Sequence, residues 1–315
     1  MWWEISILLA LSLGRSAAFA LLSLVDLLTS QPALGDVTVA MNTSMSPRPV
    51  VDALSQLLSI GFSLAPVALA LYLLAVRPGA RPLSEVMGWD WHLRGREVSA
   101  RYPHRRRTDC AWGLALAAAV GIPGLAFYAA GRAMGITVTL SAANLGSAWW
   151  SVPIYILASL RNGLLEEVIV VAYLYERTRD LGWSQRREGA AHKKGTAHRD
   201  AAHREDTARW DPATHWDTST RWEGAVAGGS EAVTRLDWRF VAFSAVLRGS
   251  YHLYQGIGPM LGNMAMGVLF ACWYRSRWGR RRIWPLIIAH LLIDTVAFVG
   301  YAFIPEHLLH TWGLA

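Results

Sequence analysis

The chain has 315 residues, 53% of them hydrophobic and 17% charged, with 16 tryptophans and a mean hydropathy of +0.25. That is too apolar for an ordinary soluble domain of this length, and the charge is gathered into a few stretches, so lipid is the solvent these numbers point to. The net charge of +7 would suit a nucleic-acid partner, but the basic residues stand in short blocks beside apolar runs, where arginine fixes membrane orientation, and nucleic-acid binding is set aside.

Apolar windows of about 20 residues mark membrane-spanning helices. They fall at 5–28, 52–76, 111–131, 149–175, 239–256, 259–275 and 283–304, which predicts an all-α, polytopic membrane helix bundle of seven helices. An eighth would come from the amphipathic stretch at 83–101 or from the 132–148 connection. Within the first span Ala18-Phe19-Ala20 has the outline of a signal-peptidase site. The start MWWE lacks a positive region and Arg15 interrupts the apolar run, so an uncleaved helix is expected. The two cysteines, Cys110 and Cys272, give neither a disulfide framework nor thiolate metal spacing.

Arginine placement sets the orientation. The stretch RPGARPLSEVMGWDWHLRGREVSARYPHRRR after the second span and RSRWGRRR before the last are strongly basic, whereas the connections 29–50 and 132–148 hold only Arg48 and Arg132. The positive-inside rule puts the N-terminus and both basic segments in the cytoplasm, in a cell membrane. From 184 to 237 the chain is polar, rich in Ala, Gly, His, Arg and Asp, and without sustained periodicity. Such a segment cannot bury enough apolar surface to order itself and reads as a disordered cytoplasmic loop, its His192, His198 and His203 as solvated residues rather than metal ligands. The organisation expected is therefore N-terminal helices with a basic segment at 1–108, a core at 109–304 interrupted by the 184–237 insertion, and a tail at 305–315.

Inside the fourth span, LLEEVIVVAYLYER puts Glu166 and Glu167 side by side in an otherwise apolar run. A carboxylate in the bilayer interior costs several kcal/mol unless it is paired, solvated or neutralised, so intramembrane acids point to function by default. Later helices supply companions: Arg248 and His252 four apart in RGSYH, and His290 and Asp294 four apart in HLLID. That spacing puts each pair on one helix face. At a rise of ~1.5 Å per residue from the cytoplasmic ends, Glu166 lies ~15 Å deep, His252 ~20 Å, His290 ~10 Å and Asp294 ~16 Å. The agreement predicts one polar cavity, opening toward the cytoplasm.

These three motifs, in this order, resemble the CAAX-prenyl-protease and bacteriocin-processing (CPBP, or Abi) intramembrane protease family, whose pattern is EExxxR, then FxxxH, then HxxxN or HxxxD. The resemblance covers roughly 109–304, outside the insertion; the first two spans add no motif. It implies an intramembrane endopeptidase acting on a peptide or protein substrate, lipidated in some members. Glu166 would be the base that activates water and Glu167 its supporting partner. His252 would position the water or donate a proton, and His290 would stabilise the tetrahedral intermediate or protonate the leaving amine. Asp294 would stand where the third motif meets the oxyanion, or else orient His290 or pair with Arg248. Two positions depart from the pattern, Val171 where it has Arg and Arg248 where it has Phe. Arg248 is read as supplying the missing charge from the neighbouring helix.

Metal-independent glutamate chemistry is the reading preferred, with no cofactor. Glu166, His252 and His290 would also suit zinc, yet no HExxH is present and EHLLH at Glu306–His310 has the wrong order. A non-catalytic membrane partner and an ion- or proton-coupled transporter with a degenerate site are the alternatives that buried charges leave open.

Overall fold

The computed structural model describes residues 1–29, 36–76, 83–87, 105–135, 137–181, 238–276, 278–279 and 281–303. The 184–237 segment, with His192, His198 and His203, the 305–315 tail and residues 88–104 of the basic segment lie outside the described residues. The chain divides into two units, Met1–Arg177 with Trp238–Ala315, and Thr178–Asp237; the described part of the second is its first four residues, which close a helix.

Helix α1 (Trp2–Leu9) passes through a π-helical turn at Ala10–Gly14 into α2 (Arg15–Thr29). A short strand β1 (Thr38–Ala40) leads to α3 (Pro49–Ser63) and α4 (Ala65–Ala75), each with proline in its first turn, where the missing N–H has no helical partner to lose. After α5 (Leu83–Met87) come α6 (Arg105–Ala133), strand β2 (Thr139–Ser141) and α7 (Ser151–Leu164). A π-helical segment, Leu165–Tyr173, carries the chain into α8 (Leu174–Asp180). Helices α9 (Trp238–Ser250), α10 (Ile257–Arg275) and α11 (Trp284–Ala302) complete the fold.

Among the described residues, five helices are long and apolar enough to cross a membrane: Trp2–Asp26, Pro49–Ala75, Arg107–Ala133, Ile257–Arg275 and Trp284–Ala302. Their outward faces carry exposed Leu11, Phe62, Ile122 and Val296, the surface a bilayer would cover. Two of the seven expected spans differ. The 149–175 run is continuous helix from Ser151 to Asp180 but carries too much charge to count among the five. The 239–256 run breaks after Ser250, leaving a 13-residue α9, ~20 Å long and too short to cross alone. The reason is the turn at 251–256: a single 3₁₀ turn, Leu253–Gln255, ends at Gly256, whose φ of 97° reverses the chain into α10. A side chain there would be strained.

Polar and aromatic contacts show which helix ends lie together. Arg177 pairs with Glu4 at 2.6 Å and donates to the Leu73 carbonyl at 2.9 Å, Arg282 pairs with Asp109, and the Trp112 and Trp273 rings lie 5.9 Å apart. The starts of α1, α6 and α11 and the ends of α4 and α10 thus share one end, where the two arginine-rich segments attach: the basic end. At the opposite end β1 and β2 pair in parallel, Thr38 against Thr139. Asn42 donates to the Ala142 carbonyl and Asn144 to the Met41 carbonyl, at 2.8 and 2.7 Å. Two three-residue strands leave the fold helical. Beneath them Ile60, Trp150, Tyr155 and Phe298 pack in one apolar cluster, which seats α7 and α11 side by side.

Candidate active site

Adjacent residues on an α-helix point away from each other, so two neighbouring acids would not ordinarily meet one partner. Here both fall in the first turn of the π-helical segment. Its i→i+5 pattern makes the turn wider and brings consecutive side chains closer in direction; such segments recur at functional sites. Glu166 is 6% and Glu167 0% exposed.

Arg248, itself 0% exposed, lies between them. Its Nη1 donates to Glu166 Oε2 at 2.9 Å and its Nη2 to Glu167 Oε1 at 2.8 Å. The guanidinium also sits 5.5 Å from the centre of the Phe270 ring. Sequence spacing leaves Arg248 open to pairing with Asp294; the structure instead turns it onto both glutamates. Val171 is fully buried, so the position where the family pattern has arginine belongs to the apolar packing.

His290 arrives from α11, which approaches α7 closely at Gly163: a Cβ there would meet the Ile287 carbonyl oxygen at 3.3 Å and the His290 Cβ at 3.5 Å. His290 Nδ1 lies 2.9 Å from Glu167 Oε1 and 3.9 Å from Glu166 Oε2. Against a carboxylate at 2.9 Å, Nδ1 is the donor, which leaves Nε2 facing Asp294 Oδ2 at 3.7 Å. Asp294 in turn accepts from Asn162 Nδ2 at 2.7 Å, and Arg161 donates to Asn162 Oδ1 through Nε and Nη2 at 3.1 and 2.7 Å. Asn162 and Arg161 precede the acid pair by one turn of the same helical run, and sequence reasoning misses Asn162. Asn162 is an uncharged residue beside a conspicuous pair, and only the α7–α11 packing gives it a role.

His252 lies past the end of α9 at Ser250, contrary to the helical spacing; it stands in the turn, its N–H donating to the Gly249 carbonyl at 3.0 Å. Its Nε2 is 3.8 Å from Glu166 Oε1. Both His252 ring nitrogens and the Tyr251 hydroxyl are buried without a hydrogen-bond partner among the described residues. Tyr251 also packs with Leu13 and Val170. The first helix, which contributes no motif, therefore buttresses the turn that holds His252.

Glu166, Glu167 and His290 offer possible metal-ligand atoms within 4.8 Å of one another, a different trio from Glu166, His252 and His290. The oxygens nearest His290 in that trio are Glu166 Oε2 and Glu167 Oε1, the two that accept from Arg248. A divalent ion on these two oxygens would stand beside a fixed guanidinium, while Glu166 Oε1 and Glu167 Oε2 take no hydrogen bond from Arg248, so the trio holds donor atoms a metal could use next to a cation that disfavours one.

Exposure is uneven around this centre. From Val168 to Tyr175 every residue is at most 2% exposed, and Phe240, Phe270, Tyr274 and Leu286 are as deeply buried. All lie between the acid pair and the basic end. Arg161, Asn162, His252, Tyr254 and Asp294, on the side away from that end, are each partly exposed.

Fold and site define an integral membrane protein with a buried Glu-Arg-Glu-His centre. The family model of the type II CAAX prenyl endopeptidase Rce1-like proteins matches residues 219–296, the protease group that the three motifs resemble. That stretch holds Arg248, His252, His290 and Asp294 but not the two glutamates, which lie upstream of the insertion. No curated protein and no solved structure matches the chain.

Proposed function

We propose that the protein is an intramembrane endopeptidase in which Glu166 activates the attacking water, without a metal, on a peptide or protein substrate. The observation that carries this reading is what the uncommitted oxygen of each acid faces: Glu167 Oε2 is buried without a hydrogen-bond partner among the described residues, whereas Glu166 Oε1 faces a histidine. Glu167 Oε1 accepts from both Arg248 and His290 and holds them in place. Glu166 gives Oε2 to Arg248 and keeps Oε1 facing the partly exposed His252, across 3.8 Å. That gap is too long for a direct hydrogen bond and short enough for one oxygen atom to bridge.

A water held between Glu166 Oε1 and His252 Nε2 would give its proton to Glu166 while its oxygen attacks the scissile carbonyl carbon. The oxyanion that forms would take hydrogen bonds from the second N–H of Asn162 and from the Nε2–H of a doubly protonated His290, whose Nδ1–H stays on Glu167. Glu166 then delivers its proton to the leaving amine as the C–N bond breaks. Asp294 keeps Asn162 and His290 in register, which suits its contacts better than a direct donor role. A lipidated substrate would fit a site reached through the bilayer, and a metal at Glu166, Glu167 and His290 would stand beside the Arg248 guanidinium.

The test is cleavage of a peptide library by purified protein in detergent. The wild type is expected to cut, with or without a strong chelator, and Asn162→Ala to lower kcat with little change in KM. Peptide binding without any cleavage would instead identify a non-catalytic partner, and loss of cleavage on chelation would restore the metal.

A further inference from the structure

The buried centre is walled on one side by fully buried residues and bordered on the other by partly exposed ones, and the two sides are distinguishable by charge. In sequence, arginine is concentrated in 77–107 and 276–283, the segments that follow α4 and α10, against Arg48 and Arg132 in the connections 29–50 and 132–148. Between the acid pair and the basic end stand Val168–Tyr175, none above 2% exposed, backed by Phe240 and Tyr274 at 1% and 0%. A peptide entering from that end would have to part side chains that are almost wholly buried, and such interiors are close-packed.

On the far side the polar chain from Glu166 continues outward through His290, Asp294, Asn162 and Arg161. These side chains become partly exposed beside the 251–256 turn, which ends at the strand-bearing end: Gln255 Nε2 lies 3.7 Å from Met41 Sδ, just past β1. Leu253 and Leu291, next in sequence to His252 and His290, are partly exposed as well. This side therefore carries both hydrogen-bonding and apolar groups.

We infer that substrate reaches Glu166 from the half of the membrane opposite the basic end, so that the scissile segment belongs to an exported or membrane-anchored polypeptide presented on the non-cytoplasmic side. Basic segments flanking spans are retained in the cytoplasm, which makes the reachable side the outer one. Calling the incoming chain a substrate rests on the peptidase reading, but the direction of access is a property of the fold and is measured without catalysis. It excludes a lipidated C-terminus offered from the cytoplasm.

The experiment uses single cysteines in the full chain with Cys110→Ser and Cys272→Ser. Leu253→Cys and Leu291→Cys report on the approach to the site, and Trp3→Cys, at an 82% exposed position of the basic end, reports on topology. A membrane-impermeant maleimide is added to intact spheroplasts and, separately, to inside-out vesicles. The expected result is at least tenfold faster labelling of an approach cysteine in spheroplasts than in vesicles, with the reverse for Trp3→Cys. Having two approach positions covers the case where one variant does not fold, as judged by size-exclusion chromatography. Approach cysteines labelled from the same side as Trp3→Cys, or from neither side, overturn the direction of access. Trp3→Cys labelled in spheroplasts overturns the assignment of sides. Cleavage in detergent is independent of sidedness, so its absence defeats the peptidase reading and leaves the labelling result standing.

Discussion

Two buried arginines pair with glutamate across helices, and their surroundings differ. Arg177 meets Glu4 near the basic end, where Glu4 keeps 28% of its side chain exposed and also accepts from the Tyr173 hydroxyl. Arg248 meets Glu166 and Glu167 at mid-depth, where its own side chain and that of Glu167 are at 0% exposure. At Arg177 a hydrated carboxylate ties α1 to the π-helical segment, and water shares the electrostatic load. At Arg248 one cation faces two acids, and the surplus acid has its free oxygen against an unpartnered histidine. A structural ion pair needs no surplus; a site that must accept a proton does.

The largest effect that can break this comparison is expected from Arg248→Leu. Removing one partner of a fully buried ion pair costs roughly 3–5 kcal/mol, because the remaining charges lose their compensation. Thermal unfolding in detergent should show a collapse of the melting transition for Arg248→Leu and a much smaller shift for Arg177→Leu. Adding Glu166→Gln and Glu167→Gln to Arg248→Leu should recover much of the loss, since no uncompensated charge remains. Equal shifts at the two arginines would erase the distinction.

Next comes the separation of the two acids. Glu166→Gln keeps shape and hydrogen bonding but removes the base, so cleavage should drop by at least about a hundredfold, the usual scale for general base catalysis, with the melting temperature nearly unchanged. Glu167→Gln should cost less in rate and more in stability, because Glu167 holds both Arg248 and His290. Measuring kcat/KM and melting temperature on the same preparations decides this. A larger rate loss for Glu167→Gln would move the base to the second acid.

Much of this centre is legible in the sequence because carboxylates, histidines and arginines are costly in a bilayer and stand out there. Their order along the chain and their helical depth suffice to predict that three helices meet. The turn at 251–256 is not legible: RGSYHLYQG has good helical spacing, and the break comes from Gly256 and from the packing of α9 on α10. Neither is the π-helical segment, since nothing in LEEVIVVAY distinguishes an i→i+5 ladder from an α-helix, and an α-helical reading puts Val171 opposite Glu167. Asn162 stays hidden for a related reason, its partner Asp294 being 132 residues away.

The smallest expected effect tests the other half of the comparison. Glu4→Gln removes the charge that Arg177 meets but keeps an acceptor for the Tyr173 hydroxyl, and Arg177 still donates to the Leu73 carbonyl at 2.9 Å. With Glu4 28% exposed, the pair is screened, and such partly hydrated bridges contribute about 0.2–1 kcal/mol. A melting-temperature drop of a few degrees at most is therefore expected, and it should shrink further in high salt, as surface electrostatics do. Cleavage should stay near the wild-type rate, because the route from Glu4 to the site runs through Tyr173 and the rigid wall of Val168–Ala172. A large, salt-independent loss of activity in Glu4→Gln would mean that the first helix does more than brace that wall, and that the two ion pairs act as one device.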